Sequence, residues 1–338
     1  MADIVVLTGI TGFLGGHLAR ELLASGYHVR GSLRNPARAD AVRRALWDAG
    51  EDISRLEFVT LNLTNDAGWD EAMAGARFLM HAASPFVTTM PKDKGELIRP
   101  AVDGTRRAMA AALKAGVERV VLTSSTAAVV YGRGKGGPAR LGPNDWSPIE
   151  AGRMTAYTES KLLAERKAWE MVKGQEARLA VINPGLILGP LLDDDPGTSG
   201  ALVQRFLQGS IPMAPDLTMH CVDVRDLARI HVAALTDPQA AGQRHIAAFD
   251  EATILRMGKL IAEARPDYAR KMPKWRMPDW LTRAYALFDG DMRANLVELG
   301  YRPKLDNTGA QRLLARPPRS AGEAVGAMAE SLIARGLV

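Results

Sequence analysis

Thr8-Gly9-Ile10-Thr11-Gly12-Phe13-Leu14-Gly15 is the stretch whose reading decides the fold. Before it stands a short apolar run, Ile4 to Leu7, and after it Leu14, Leu18 and Leu22 recur at i, i+4 and i+8, with Leu23 widening the stripe. A buried strand running straight into an amphipathic helix accounts for that change of period. The glycines keep a Gly-x-x-Gly-x-x-Gly spacing, and each has a physical task. Gly9 permits a tight turn, Gly12 lets the backbone approach a pyrophosphate, and Gly15 lets helix and strand pack closely. A pyrophosphate held there meets a helix N-terminus, where free amides and the positive end of the helix dipole favour an anion. Thr8, Gly9, Thr11, Gly12, Phe13, Leu14 and Gly15 are therefore the expected cradle for a dinucleotide. Glycine-rich turns are common as plain turns, so the position between strand and helix carries the reading.

Outward from this turn, short apolar runs alternate with amphipathic segments. Phe78 to His81, Arg119 to Thr123 and Leu179 to Asn183 are nearly continuous in apolar residues, as strands covered on both faces require. The pattern predicts an α/β fold, a Rossmann-type doubly wound parallel sheet, over residues 1–184. Beyond it Pro and Gly become frequent and helices come without regular strands. Residues 185–338 are thus expected to form mostly a smaller, mixed, substrate-binding subdomain, with some segments returning to the core. Asp226, ahead of the periodic Leu227 to Leu235, suits a helix N-cap. Ser320 with Glu323 forms a capping-box pattern for the last helix. Gly132 to Pro143, rich in Gly, Arg and Pro, reads as a surface loop.

About twenty residues past the glycine turn, an NAD enzyme places an acidic residue on the ribose hydroxyls. Here the chain reads Arg30-Gly31-Ser32-Leu33-Arg34-Asn35-Pro36-Ala37-Arg38, without a carboxylate. Arg34, with Arg38 or Ser32, can instead hold a 2′-phosphate, which favours NADP; the bland alternative is that these arginines are solvated surface.

Tyr157 and Lys161 stand four apart in a helical pattern and share one face. A free phenol has a pKa of about 10, and a neighbouring ammonium favours the phenolate, so Lys161 is expected to lower that value. The same ammonium can bond the nicotinamide ribose. The run ending at Thr123 delivers Ser124-Ser125-Thr126 to the carboxyl edge of the sheet, where open α/β sheets bind ligands. Ser125 is the chosen hydroxyl for the substrate carbonyl, and Tyr157 the proton donor. Tyr-x-x-x-Lys alone is a weak motif. Its order after the glycine turn and the serines strengthens it.

Composition narrows the function. The 338 residues are 47% hydrophobic and 24% charged, as in an ordinary globular protein. The net charge of +5 comes from basic residues scattered along the chain, which argues poorly for nucleic acid. The single cysteine, Cys221, forbids an internal disulfide and fits a reducing compartment. The six histidines are dispersed, so no metal is expected. No signal peptide and no run of about 18 apolar residues is found, so a cytoplasmic protein without a membrane partner is expected. The chain also lacks the Gly-x-Ser-x-Gly elbow of a nucleophilic hydrolase.

Together His81-Ala-Ala-Ser84-Pro85, the Ser124-Ser125 strand end, Tyr157 to Lys161, Asn183-Pro184-Gly185, Leu188-Gly189-Pro190 and Asp223-Val224-Arg225-Asp226 resemble an extended short-chain dehydrogenase/reductase. The likeness covers nearly the whole chain and is closer to the dihydroflavonol reductase and cinnamoyl-CoA reductase group, with its bacterial aldehyde and ketone reductases. It implies a seven-stranded sheet, NADPH, and a small carbonyl substrate in a monomer or homodimer. By the same likeness Asn62, Leu63, Ala82, Ala83, Ser84, Ser124, Pro184, Gly185 and Leu186 contact the cofactor. Two positions depart from the pattern. Asn62 replaces a common aspartate near adenine, where it can still accept and donate. Asp103 replaces an asparagine before Gly104-Thr105, and a carboxylate cannot donate as an amide does. Same-fold competitors are a nucleotide-sugar epimerase or dehydratase, which Arg34 disfavours, and a hydroxysteroid dehydrogenase. A redox-sensing binding protein is the non-enzyme alternative, disfavoured by the intact Tyr/Lys pair. Pro85, Phe86 and Met213 are the expected apolar walls of the substrate site.

Overall fold

A computed structural model describes residues 2–85 and 93–338. The first half alternates strand and helix: β1 (Ile4–Thr8), α1 (Phe13–Ala24), β2 (His28–Leu33), α2 (Ala39–Asp48), β3 (Leu56–Thr60), α3 (Trp69–Met73), β4 (Phe78–His81), α4 (Gly95–Lys114) and β5 (Arg119–Thr123). Then come β6 (Arg140–Leu141), α5 (Ala156–Met171), β7 (Leu179–Pro184), β8 (Leu186–Leu188), α6 (Gly197–Leu207), β9 (Thr218–Asp223), α7 (Val224–Thr236) and β10 (Gln243–Ala247). The remainder holds β11 (Asp250–Thr253), α8 (Ile254–Ala264), α9 (Asp279–Tyr285), α10 (Gly290–Asn295), β12 (Lys304–Leu305), α11 (Thr308–Leu314) and α12 (Ala321–Ala334).

Seven parallel strands form the main sheet in the order β10-β7-β5-β4-β1-β2-β3. The direction of winding reverses between β1 and β4, and ligands of open α/β sheets bind at the carboxyl ends beside such a reversal. Both faces are covered. Leu18 and Leu22 of α1, Leu46 of α2, Leu227 of α7 and Leu313 of α11 build the core on one side. Met73 of α3, Met109 of α4 and Ala168 of α5 build it on the other. This double cover is why the central strands are apolar throughout. The expected Rossmann-type sheet is thus present, and α7, β10 and α11, from beyond residue 184, pack in it or on it.

A second, three-stranded sheet (β11-β9-β8) carries α6, α8 and α12 on Phe206, Met257, Val325 and Met328, and buries Cys221. The capping box at Ser320 and Glu323 is formed. The N-cap expected at Asp226 belongs instead to Asp223, whose carboxylate accepts from the Arg225 amide at 2.8 Å. Asp226 lies one turn further in, fully buried, and is held by Arg316, by the Arg319 side chain and by the Arg319 amide. Its charge is needed by distant arginines, which no local pattern reveals. Within the glycine-rich stretch expected as a loop, Arg140–Leu141 pairs with Lys304–Leu305.

Candidate active site

The ends of β1, β4, β5 and β7 converge on one edge. Gly9 leaves β1 with φ +79°, a conformation that favours glycine, and a Cβ there would lie 2.9 Å from the Ala83 backbone. Gly15 is tighter still, since a Cβ would stand 1.9 Å from the Gly9 carbonyl oxygen. At Gly12 the nearest atom is at 3.5 Å, so that side of the turn is open. Helix α1 starts with no side-chain cap, which leaves its first amides for a ligand. Thr8 behaves differently from its neighbours. Its hydroxyl bonds His81 Nδ1 at 2.8 Å and accepts from the Ala83 amide at 3.1 Å, so it fastens β1 to the end of β4. Ala82, Ala83 and Ser84 are half-buried beside the turn.

At the far end of the cradle, Arg34 follows β2 directly, exposed and without a partner among the described residues. Arg38 is 3.5 Å from Asp193, and Ser32 is turned inward, its hydroxyl accepting from the Gly9 amide at 3.4 Å. Asn62 is exposed past β3, but its carbonyl already accepts from the Thr64 amide (3.0 Å) and hydroxyl (2.9 Å). Toward an adenine it is left to donate only, a narrower role than expected. Leu63 packs against Gly104. Asp103 is exposed on α4, 4.0 Å from Arg106, and its carboxylate is spent on the surface.

Tyr157 sits in the first turn of α5, whose N-cap Thr155 accepts from the Thr158 amide at 3.1 Å. Ser125 lies two residues past β5 in extended backbone; its hydroxyl accepts from the Ala127 amide at 3.1 Å and stands close enough to the Tyr157 hydroxyl to lower its pKa. Tyr157 is 41% exposed as a residue, yet burial around its hydroxyl pushes the phenol pKa above its usual value, against the Ser125 hydroxyl, which lowers it. Lys161 is one turn on, its Nζ 5.9 Å from the centre of the tyrosine ring. Burial brings Lys161 down to about 8, and its ammonium has no hydrogen-bond acceptor among the described residues. The expected direction was the opposite for the phenol. Burial sets the upward direction, and Lys161, 5.9 Å from the ring centre, does not reverse it. His81 beneath them is pushed to about 4 by burial, and secondarily by Lys161, so it is neutral and its Nε2 is unpartnered among the described residues.

The Ser124 hydroxyl is committed away from this cleft, so any cofactor contact expected of Ser124 falls to its backbone. Its hydroxyl donates to Glu165 Oε2 at 2.5 Å, inside a buried cluster. Glu165 also accepts from Asn183 Nδ2 at 2.8 Å and from Arg244 Nε at 2.5 Å, and Arg244 lies 3.8 Å over the Trp146 ring. Asn183 donates as well to the Ser125 carbonyl at 3.2 Å. The cluster ties β5, β7, β10 and α5 together directly under Ser125. Glu165 repeats the Tyr/Lys spacing one turn further, which is a faint signal; Arg244, from β10, gives none. Pro184 and Gly185 connect the two sheets, and a Cβ at Gly185 would lie 2.1 Å from the His220 carbonyl oxygen, while Leu186 opens β8 half-buried. Pro85 and Met213 are half-buried, and Phe86 lies outside the described residues.

The uncapped helix, the open side of Gly12, and the unpaired Arg34 and Lys161 suit a nicotinamide dinucleotide. Comparison with known proteins leads to the same place. The family model described as NAD dependent epimerase/dehydratase matches residues 5–248. The chain is 35% identical over 243 residues to cinnamoyl-CoA reductase 1 of Oryza sativa subsp. japonica, covering 71% of this chain and 70% of that one. To cinnamoyl-CoA reductase 2 of Arabidopsis thaliana it is 34% identical over 270 residues, 78% of each. The crystal structure of the yeast methylglyoxal/isovaleraldehyde reductase complexed with NADPH superposes with a TM-score of 0.80 at 25% identity, over 99% of this chain and 100% of that one. Fold and likenesses define the class, an NAD(P)-dependent oxidoreductase. Within that class the chain belongs to the NAD dependent epimerase/dehydratase family, the extended short-chain dehydrogenases/reductases.

Proposed function

We propose that the protein reduces an aldehyde or ketone to the alcohol, with NADPH as hydride donor and Tyr157 as proton donor. The observation that carries this is the convergence of Ser125, Tyr157 and Lys161 beside the glycine cradle, with the Ser125 hydroxyl close enough to the phenol to lower its pKa and Lys161 Nζ 5.9 Å from the tyrosine ring centre. When bound, NADPH supplies the hydride. Ser125 accepts from the Ala127 amide with one of its two lone pairs, and its single proton, directed at the Tyr157 oxygen, is the one it would turn to the substrate oxygen as charge gathers there. Tyr157, its pKa raised, stays protonated at neutral pH and gives its proton to the forming alkoxide. A phenol held this way suits reduction better than oxidation, which would require the phenolate first. Lys161 holds the ribose side of the cofactor through its free ammonium. The names of the relatives, cinnamoyl-CoA and aldehyde reductases, support a carbonyl substrate.

Arg34 sets the cofactor preference. One charge-assisted hydrogen bond contributes about 1.5 to 3 kcal/mol, or roughly 10 to 150-fold in affinity. Steady-state kinetics across aldehydes, ketones, diketones and flavanonols should show NADPH ahead of NADH by about tenfold or more in kcat/KM. Arg34→Ala should erase most of that margin through the KM for NADPH, with kcat at saturating cofactor preserved. Equal efficiency with NADH would sink the NADP assignment, and inertness toward every carbonyl the reductase reading.

A further inference from the structure

Helix α9 and the turn after it carry their apolar side chains on the solvent face. Trp280, Ala284, Leu287 and Phe288 stand at i, i+4, i+7 and i+8, the spacing of one helix face. Past Tyr285 the chain closes in a tight turn, the Leu287 amide donating to the Ala284 carbonyl at 3.2 Å and the Phe288 amide to the Tyr285 carbonyl at 3.0 Å, which keeps Leu287 and Phe288 next to the helix. All four are exposed, Trp280 by 71%, Leu287 by 70% and Phe288 by 89%. Thr282 and Ala286 occupy the buried side. Trp275, just before the helix, is 67% exposed. A helix packed on a core shows the reverse arrangement. Scattered exposed apolar residues are ordinary, but an apolar helix face with a tryptophan close by in the chain marks an interaction surface.

The charge around this face selects the partner. From Arg270 to Asp289 the chain has five basic residues, Arg270, Lys271, Lys274, Arg276 and Arg283, and two acidic residues, Asp279 and Asp289, the latter serving as the cap of α10, where it accepts from the Met292 amide at 2.8 Å. Asp279 is already engaged by Arg276 at 2.6 Å and by Lys135 at 3.3 Å. Arg270, Lys274 and Arg283 are exposed with no ion pair among the described residues. A two-fold contact with a second copy would set this positive patch against itself, and like charges across an interface are costly. An anionic surface is attracted by it. Tryptophan on a short helix lying flat, leucine and phenylalanine on the turn that ends it, and lysine and arginine close by in the chain are what the boundary between lipid headgroups and acyl chains accommodates.

We propose that this face docks the enzyme peripherally on an anionic phospholipid surface. The absence of a membrane partner expected from the sequence rested on spans, and no helix among the described residues is long and apolar enough to cross a membrane. A helix lying in the plane of the interface needs no such length. The proposal is independent of the reductase reading.

Co-sedimentation with vesicles of phosphatidylcholine, with and without one quarter phosphatidylglycerol, tests it, with tryptophan emission as a second readout. The full chain should bind the mixed vesicles at least about tenfold better than the neutral ones, with a blue-shifted emission, and release in about 0.5 M salt. Trp280→Ser with Phe288→Ser should lower binding to the mixed vesicles at least about tenfold, and Lys274→Glu with Arg283→Glu should remove the preference for anionic lipid. No binding by the wild type, equal binding to both vesicles, or wild-type binding by both double variants overturns the proposal. So does a concentration-dependent dimer that Trp280→Ser with Phe288→Ser dissolves, which would give the face to a second copy.

Discussion

Ser124 and Ser125 are chemically identical neighbours with separate tasks, and substitution should part them. On the proposed mechanism Ser125→Ala removes the donor to the developing oxyanion, worth about 3 kcal/mol, so kcat should fall roughly a hundredfold or more with little change in KM. Ser124→Ala leaves the cleft intact and takes one donor from the buried Glu165, so it should cost about 1 to 3 kcal/mol in stability and little in kcat. Kinetics and thermal melts on both variants check this; a larger kcat loss for Ser124→Ala would reverse the assignment. The local spacings of Tyr157, Lys161 and Arg34 are legible in the sequence because each depends on a single turn or strand end. The Ser124 bond to Glu165, and the pairing of Glu165 with Arg244, join residues that meet only once the sheet is assembled. The direction of the phenol pKa was hidden for a similar reason. Spacing places a lysine nearby, but burial decides the sign.

The glycine turn offers a comparison within one element. A methyl at Gly15 would overlap the Gly9 carbonyl, backbone against backbone, and neither can yield without moving α1 off β1. Gly15→Ala should therefore destabilise by about 1 to 3 kcal/mol, in the range of overpacked sites. Gly12→Ala meets only an ordinary contact at 3.5 Å within the protein, but its methyl would occupy the open side of the turn. It should melt like wild type and bind NADPH at least about tenfold more weakly. Calorimetry and cofactor titration separate the two, and a folded, tight-binding Gly12→Ala would remove the cofactor from this turn. The strands β1, β4, β5 and β7 are legible because double cover makes them apolar. Strand β10 is not, since Gln243, Arg244 and His245 read as polar; Arg244 is buried because Glu165, the Pro143 and Asp145 carbonyls and the Trp146 ring receive it. The α7 cap was misplaced by three residues because two aspartates flank the helix start and only the folded structure shows which one distant arginines claim.

Across the whole molecule, burial governs the most enclosed histidines. His17, His81 and His231 are each held at about 4, with desolvation the first cause. Their folded values lie below the unfolded value of about 6.5, so the unfolded chain binds more protons over that interval and acid favours unfolding. Stability should be full above about pH 6.5 and fall toward pH 4, by about 1.4 kcal/mol per pH unit for each such group. A melting temperature unchanged between about pH 7 and pH 5 would contradict it. The central claim, that sheet, cradle and α5 together deliver a hydride and the Tyr157 proton to a carbonyl, is tested most directly by single-turnover NADPH oxidation in stopped flow. Wild type and Tyr157→Phe would be compared with the best carbonyl substrate from the panel. The account predicts a loss of about 10² to 10⁴-fold in rate with NADPH affinity nearly unchanged, and a variant retaining more than about a tenth of the wild-type rate would contradict it.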